Sequence, residues 1–343
     1  MSSAGGIFTV SLDFELYWGL RDLIALEQYR AQLEGVHRAV PALLQYFSSA
    51  GVHVTWATVG FLFFRDSTEL LAHLPALRPA YREARLDPYA ALPDTERHPE
   101  LIPLYYAPEL VSRIQAHARH GQEIASHSFS HYYACEPGTE GASFRADMEA
   151  MLAVARSRGI TLRSHVFPRQ QYGTGELGIL SELGFRAFRG STPAFIHRFP
   201  ERRDCYFLLK RGLRFADALI NLSGHHTVDW PQPSAAGLVN VAGSRFLHAG
   251  TSSETLNRLR LQRVLCGMTQ AARSNRIFHL WWHPHNFGVQ LEQNLQRLEQ
   301  VLLHYQDLRQ RYGMSSLNMG EIASRCHRHA SVPFRTPQEF SAT

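Results

Sequence analysis

The sequence predicts an α/β fold built as a single β/α barrel, and three observations carry that expectation. Short β-branched or aromatic runs alternate with longer amphipathic stretches along most of the chain, which is the pattern of successive β-α units around a largely parallel sheet. The rhythm is regular enough that the 343 residues, which have room for one barrel or two smaller units, are better read as one. Each polar cluster with chemical capacity falls at the carboxyl end of a predicted strand, where the loops of such a barrel gather active-site groups.

Taken in order, residues 7–16 read as the first strand. A helix over 29–49 ends at Gly51 and is followed by a strand over 52–60. The same logic gives a helix over 107–120, a strand over 123–127, a helix over 143–157, a strand over 166–169, a helix over 174–183 and a strand over 185–189. After these come a helix over 254–274, a strand over 277–283, a helix over 290–312 and a short element near 316–319. Two segments break the rhythm. Residues 66–108, rich in proline, are expected to be an insertion over one face. Residues 193–233, with a short helix near 207–222, are expected to shape the cleft. The barrel is thus predicted over 1–330, and 331–343 read as a loose tail.

Hydrophobic residues make up 45% of the chain and charged residues 19%, so a sizeable core and little disorder are expected. The amino terminus lacks the pattern of a secretory signal, and no apolar run approaches the ~20 residues of a membrane span. The expectation is therefore a cytoplasmic enzyme without a membrane span. Cys135, Cys205, Cys266 and Cys326 are far apart and form no CxxC pair, which suits reduced thiols. A formal charge of +5 and a pI near 9.1 favour acidic partners such as phosphate-linked sugars. Arginines are scattered and no nucleic-acid motif is present, so nucleic acid is not expected as a partner.

Four clusters could do chemistry. In SLDFEL, Asp13 and Glu15 stand two residues apart on a strand, so both carboxylates point to one face. Two like charges that close are costly unless a cation lies between them. In EIASHSFSH, His127 and His131 follow a strand at a spacing that lets one turn present both imidazoles to one ion. That spacing is unspecific alone, since His279 and His283 repeat it. In VFPRQQYG, Arg169 and Tyr172 end another strand, and an arginine there could orient a carboxylate. In FHLWWHPHNFG, His283 closes an apolar strand and suits a titrating role, whereas His279, among aromatics, reads as structural. One carboxylate and two histidines can hold a divalent ion. The remaining carboxylate and histidine then supply the base and acid of an amide hydrolysis.

At these residues the sequence resembles the polysaccharide deacetylase family, also called the NodB-homology or carbohydrate esterase family 4 group. SLDFE, HSFSH, FPRQQYG and LWWH occur in the family's motif order across most of the chain. The resemblance implies a distorted (β/α)7-type barrel with a proline-rich insertion and one divalent metal ion, zinc first, with nickel, cobalt or iron as substitutes. It implies Asp13 as catalytic base, Glu15, His127 and His131 as metal ligands, Arg169 as the arginine that steadies the base, and His283 as general acid. The family's paired aspartates are here Asp13-Phe14-Glu15, so the roles of Asp13 and Glu15 could be exchanged. The family's acidic-tryptophan motif is replaced by FRAFRG, where Arg189 stands; Asp229 and Trp230 resemble the missing pair in type but come later in the chain. Trp18, Tyr172, Arg189, Trp230 and His285 are the candidates for substrate contact.

The implied reaction is removal of an acyl group, acetyl first, from the nitrogen of an amino sugar, free or carried on a nucleotide or lipid phosphate. Deformylation, opening of a cyclic amide, and a degenerate protein that only binds a glycan are the alternatives.

Overall fold

The computed structural model describes residues 5–191 and 207–330. The tail at 331–343 and the first part of the expected cleft-shaping segment, 193–206, lie outside the described residues. The elements run β1 (Gly5–Phe14), α1 (Leu26–Ala50), β2 (Val54–Thr58), α2 (Ser67–Leu71), α3 (Ile102–Tyr105), α4 (Pro108–Ala116), β3 (Gln122–Ser126), α5 (Gly141–Ser157), β4 (Ser164–Val166), α6 (Thr174–Glu182), β5 (Ala187–Arg189), α7 (Phe207–Asp217), β6 (Val239–Asn240), β7 (Arg245–Phe246), α8 (Glu254–Ser274), β8 (Ile277–Trp282), α9 (Leu291–Tyr312), β9 (Met314–Ser316) and α10 (Met319–Ala330).

β1 is buried along its whole length, as a strand covered on both faces must be. It pairs in parallel with β2, with β8 and, at its start, with β9. From β2 the parallel order continues through β3, β4 and β5. Segment 239–246 then carries both remaining edges, β6 on β5 and β7 on β8, so seven strand positions encircle the interior. Alternation along β1 divides its side chains. Phe8, Val10, Leu12 and Phe14 pack outward with the helices. Ile7 joins the inner cluster of Ala57, Val166, Ala187, Val239 and Ile277. On the same inward face, Ser11 and then Asp13 follow toward the carboxyl end of the strand.

α10 closes the opposite, amino-terminal end of the barrel. Its Ile322, Ala323 and Cys326 join the inner cluster, while Met319 and Gly320 donate their backbone N–H groups to Thr55 Oγ1 and Glu123 Oε2. This helix was not expected from sequence, although Met319, Ile322, Ala323 and Cys326 fall at the i, i+3, i+4, i+7 spacing of one helical face. The sixth strand position was also not foreseen. Its two ladders are two residues long apiece and are interrupted at Ala242–Gly243–Ser244, too short a run to show a period of two.

β4 ends at Val166, earlier than expected, since Pro168 has no N–H to extend a ladder and Arg169 adopts φ 53°. α1 ends at Gly51, whose φ of 63° is the left-handed cap expected there. Residues 66–108 hold short helical turns, and Ala80 and Arg82 donate backbone N–H groups to Gly138 and Pro137 in the loop after β3. That lays the segment beside the mouth of the barrel. No helix among the described residues is long and apolar enough to cross a membrane.

Candidate metal centre and active-site cleft

A cleft of about 880 Å3 opens at the carboxyl ends of the strands, lined among others by Asp13, Glu15, His127, His131, Tyr172 and His283. Glu15 follows β1, and its carboxylate packs where any side chain on Gly19 would collide, a Cβ there falling 2.0 Å from the carboxylate. Glu15, His127 and His131 are all buried and present ligand atoms within 4.8 Å of one another. The loop that carries the histidines is held by buried Asp147 of α5, which accepts from the backbone N–H groups of Phe129 and Ser130 and from the Ser130 hydroxyl. His131 itself sits at φ 58°, a conformation a non-glycine residue keeps only when its surroundings impose it.

The chemistry of this donor set fits a cation. His127 Nδ1 lies 2.7 Å from the carbonyl oxygen of Val166, which can only accept, so Nδ1 carries the proton and Nε2 presents its lone pair. That lone pair faces Glu15 Oε2 at 3.3 Å, and His131 Nε2 faces the same oxygen at 3.1 Å. Acceptors this close in a buried site repel unless a positive charge lies among them. Burial holds His131 down to about 4, outweighing the opposing pull of Glu15, so its ring is neutral near pH 7, as a metal ligand must be. Burial alone would raise Glu15, but His283 foremost brings it well below the usual carboxylate range.

Asp13 has a different environment. Arg189, fully buried at the end of β5, reaches both its oxygens at 2.7 Å and donates a further bond to Ser11 Oγ at 2.8 Å. His279 Nδ1 donates to the Val241 carbonyl at 3.0 Å, so the Ser11 hydroxyl, 2.8 Å from Nε2, donates to that ring. The chain His279, Ser11, Arg189 therefore fixes the Asp13 carboxylate from behind. Burial would raise Asp13, yet Arg189 foremost holds it below its ordinary value.

His283 Nε2 stands 3.8 Å from Asp13 Oδ2 and 3.6 Å from Glu15 Oε1, and its side chain keeps 24% exposure. His285 stacks on it, ring centroids 4.8 Å apart and 8° from parallel, with Tyr29 edge-on behind. Burial, with His283 second, pushes His285 down to about 3. A neutral ring thus backs His283 on one face.

The other expected residues are placed as follows. Arg169 does not touch Asp13; it pairs with buried Asp22 and lies 4.1 Å over the Tyr133 ring, which in turn packs edge-on against His131. Arg189, expected to contact substrate, is spent on Asp13. Trp18 is likewise withdrawn: it is fully buried, edge-on to Phe61, with Nε1 donating to the Tyr105 carbonyl at 2.7 Å. Trp230 packs on the inner cluster beside α10, and Asp229 pairs with Arg276 ahead of β8, so both stand at the far end of the barrel. Tyr172 lines the cleft, its ring stacked on Phe167. The residues not anticipated are Ser11 and Asp147, whose partners lie far off in sequence.

Strand order and site position define a distorted β/α barrel of the NodB type. No protein-family model matches the sequence, and no curated protein is significantly similar to it. Among solved structures, one from Mycobacterium smegmatis assigned as a polysaccharide deacetylase superposes with a TM-score of 0.56 at 16% identity, covering 96% of this chain and 93% of the other. A structure from Pseudomonas aeruginosa PAO1 with the same assignment gives 0.52 at 12% identity, covering 96% and 92%. The Puue allantoinase gives 0.51 at 11%, covering 96% and 91%. At these identities the likeness is one of fold.

Proposed function

We propose that this protein is a metal-dependent hydrolase that removes an acyl group, acetyl first, from the nitrogen of an amino sugar. The observation that carries the reading is the convergence, at the carboxyl mouth of the barrel, of Glu15, His127 and His131 with a separately anchored Asp13 and a partly exposed His283. A divalent ion held by Glu15, His127 and His131, zinc before nickel, cobalt or iron, would supply Lewis acidity toward the amide oxygen and the attacking water. Asp13, kept ionised by Arg189, takes the proton from that water. His283, on the exposed side of both carboxylates, delivers a proton to the departing nitrogen. Neutral His285 holds the His283 ring in place, and Tyr172 offers an aromatic face for a pyranose.

The test is metal content of purified protein together with analysis of the product released from N-acyl sugars. About one ion per chain and acetate release support the reading. Formate or a ring-opened product would keep the same residues and change the amide. Absence of a tightly held ion after reconstitution would leave a glycan-binding protein instead.

A further inference from the structure

A second cavity, of about 390 Å3, adjoins the cleft, and the Trp281 indole and Gln170 line both. Its wall is cationic. Arg214 of α7, Arg245 of β7, Arg260 of α8 and Arg297 of α9 line it, and among the described residues no aspartate or glutamate does. The rest of the lining is largely apolar, with Phe246, Leu261 and Val264 prominent.

The charges there are poorly compensated. Arg245 shares the Asp217 carboxylate with Arg263, each at 3.4 Å. Burial, and then the charge of Arg263, brings Arg245 down to about 10. Arg297 donates to the neutral Asn294 Oδ1 at 3.3 Å. Arg214 and Arg260 have no ion pair among the described residues, and the buried Arg260 Nε has no hydrogen-bond partner there. Guanidinium groups converging on a hollow repel one another unless an anion sits among them, and their planar forks match phosphate oxygens. The hollow also communicates with the reacting groups. The Phe246 ring packs 4.8 Å from Trp281 and 5.7 Å from His283, centroid to centroid.

We infer that this cavity takes the phosphate or diphosphate through which the acylated amino sugar is joined to its carrier, so that the substrate is a sugar phosphate ester and not a neutral glycan. The inference rests on the amide-hydrolase reading for the sugar but not for the anion. The phosphate could belong to a nucleotide or to a lipid, and the cavity recognises what those share.

The test is calorimetric titration of the metal-loaded Asp13→Asn protein, full chain, with N-acetylglucosamine and with its 1-phosphate. The 1-phosphate is expected to bind at least about tenfold more tightly, a difference of about 1.4 kcal/mol. That preference should vanish in Arg214→Gln/Arg260→Gln while the thermal midpoint stays put. Equal affinity for the two sugars would overturn the inference, as would a preference that survives both the double variant and Arg297→Gln. Titration with a nucleoside diphosphate sugar and with a polyprenyl phosphate sugar tells the carriers apart, and tighter binding of either than of the neutral sugar supports the cavity's role. Acyl release by the wild type is measured separately. Release from neutral sugars without any phosphate preference would sink the anion site alone, and phosphate preference without release from any amide would sink the hydrolase reading alone.

Discussion

Arg189 grips both oxygens of Asp13 at 2.7 Å, although 176 residues separate the two in sequence. The pair is buried on both sides, so removing one partner leaves an uncompensated charge, at a cost of about 3–5 kcal/mol. Arg189→Gln should therefore lower stability by about that much and move the acid limb of kcat/KM to higher pH, because Asp13 would lose the cation that holds its carboxyl down. Arg169→Gln, whose partner is Asp22, should leave that limb in place. A pH profile of the three proteins checks this, and a shifted limb in Arg169→Gln alone would reverse the assignment.

Glu15 and Asp13 are distinguishable by what each loses. Glu15→Gln and His131→Ala should abolish stoichiometric metal, read by elemental analysis. Asp13→Asn should keep the ion and lose about 10²–10⁴-fold in kcat, the usual worth of a general base. Retained metal in Glu15→Gln with loss in Asp13→Asn would exchange the two roles.

Most of the barrel and the convergence of Glu15, His127 and His131 were legible in the sequence because each depends on local pattern. A strand end places Asp13 and Glu15 on one face by its period of two, and HSFSH carries its two imidazoles within five residues. What escaped depends on partners far off in the chain. Nothing near FRAFRG says that Arg189 crosses the barrel interior to Asp13. Only the register of β5 against β4, Arg189 beside Val166, puts it there. Trp18 and Trp230 show the reverse error, since an indole near a polar motif reads alike whether it faces a ligand or the core. The strand at 239–246 was missed because its periodic runs are too short, whereas α10 was missed although Met319, Ile322, Ala323 and Cys326 keep helical spacing.

Trp18 and Tyr172 should then separate in the laboratory. Trp18→Ala opens a buried hole and strands the Tyr105 carbonyl, so a loss of about 3–5 kcal/mol is expected. Tyr172→Ala, half-buried at the rim of the cleft, should cost stability far less and raise KM more than it lowers kcat. Urea denaturation and steady-state kinetics on both variants decide the matter; a stable Trp18→Ala protein with raised KM would return Trp18 to the substrate.

His279 offers a test that needs no substrate. Burial, with Arg189 second, lowers it to about 3, while the unfolded chain protonates it near ~6.5. Between those values the unfolded state holds the extra proton, so stability falls as pH falls, by up to about 1.4 kcal/mol per pH unit, and is fully present above the unfolded value. Asp147, raised to about 6 by burial, acts in the opposite sense, since its folded form binds the proton first and gains stability as pH drops from about 6 toward the unfolded value. The two slopes partly cancel in the wild type, so the informative quantity is a difference. His279→Gln should be less stable at pH 7, because the bonds to Val241 and Ser11 are imperfectly replaced, yet its deficit should shrink steadily as the pH is lowered from about 6.5 toward 4. Urea midpoints at four or five pH values measure it, and a deficit that stays constant would mean that His279 is already protonated in the folded protein.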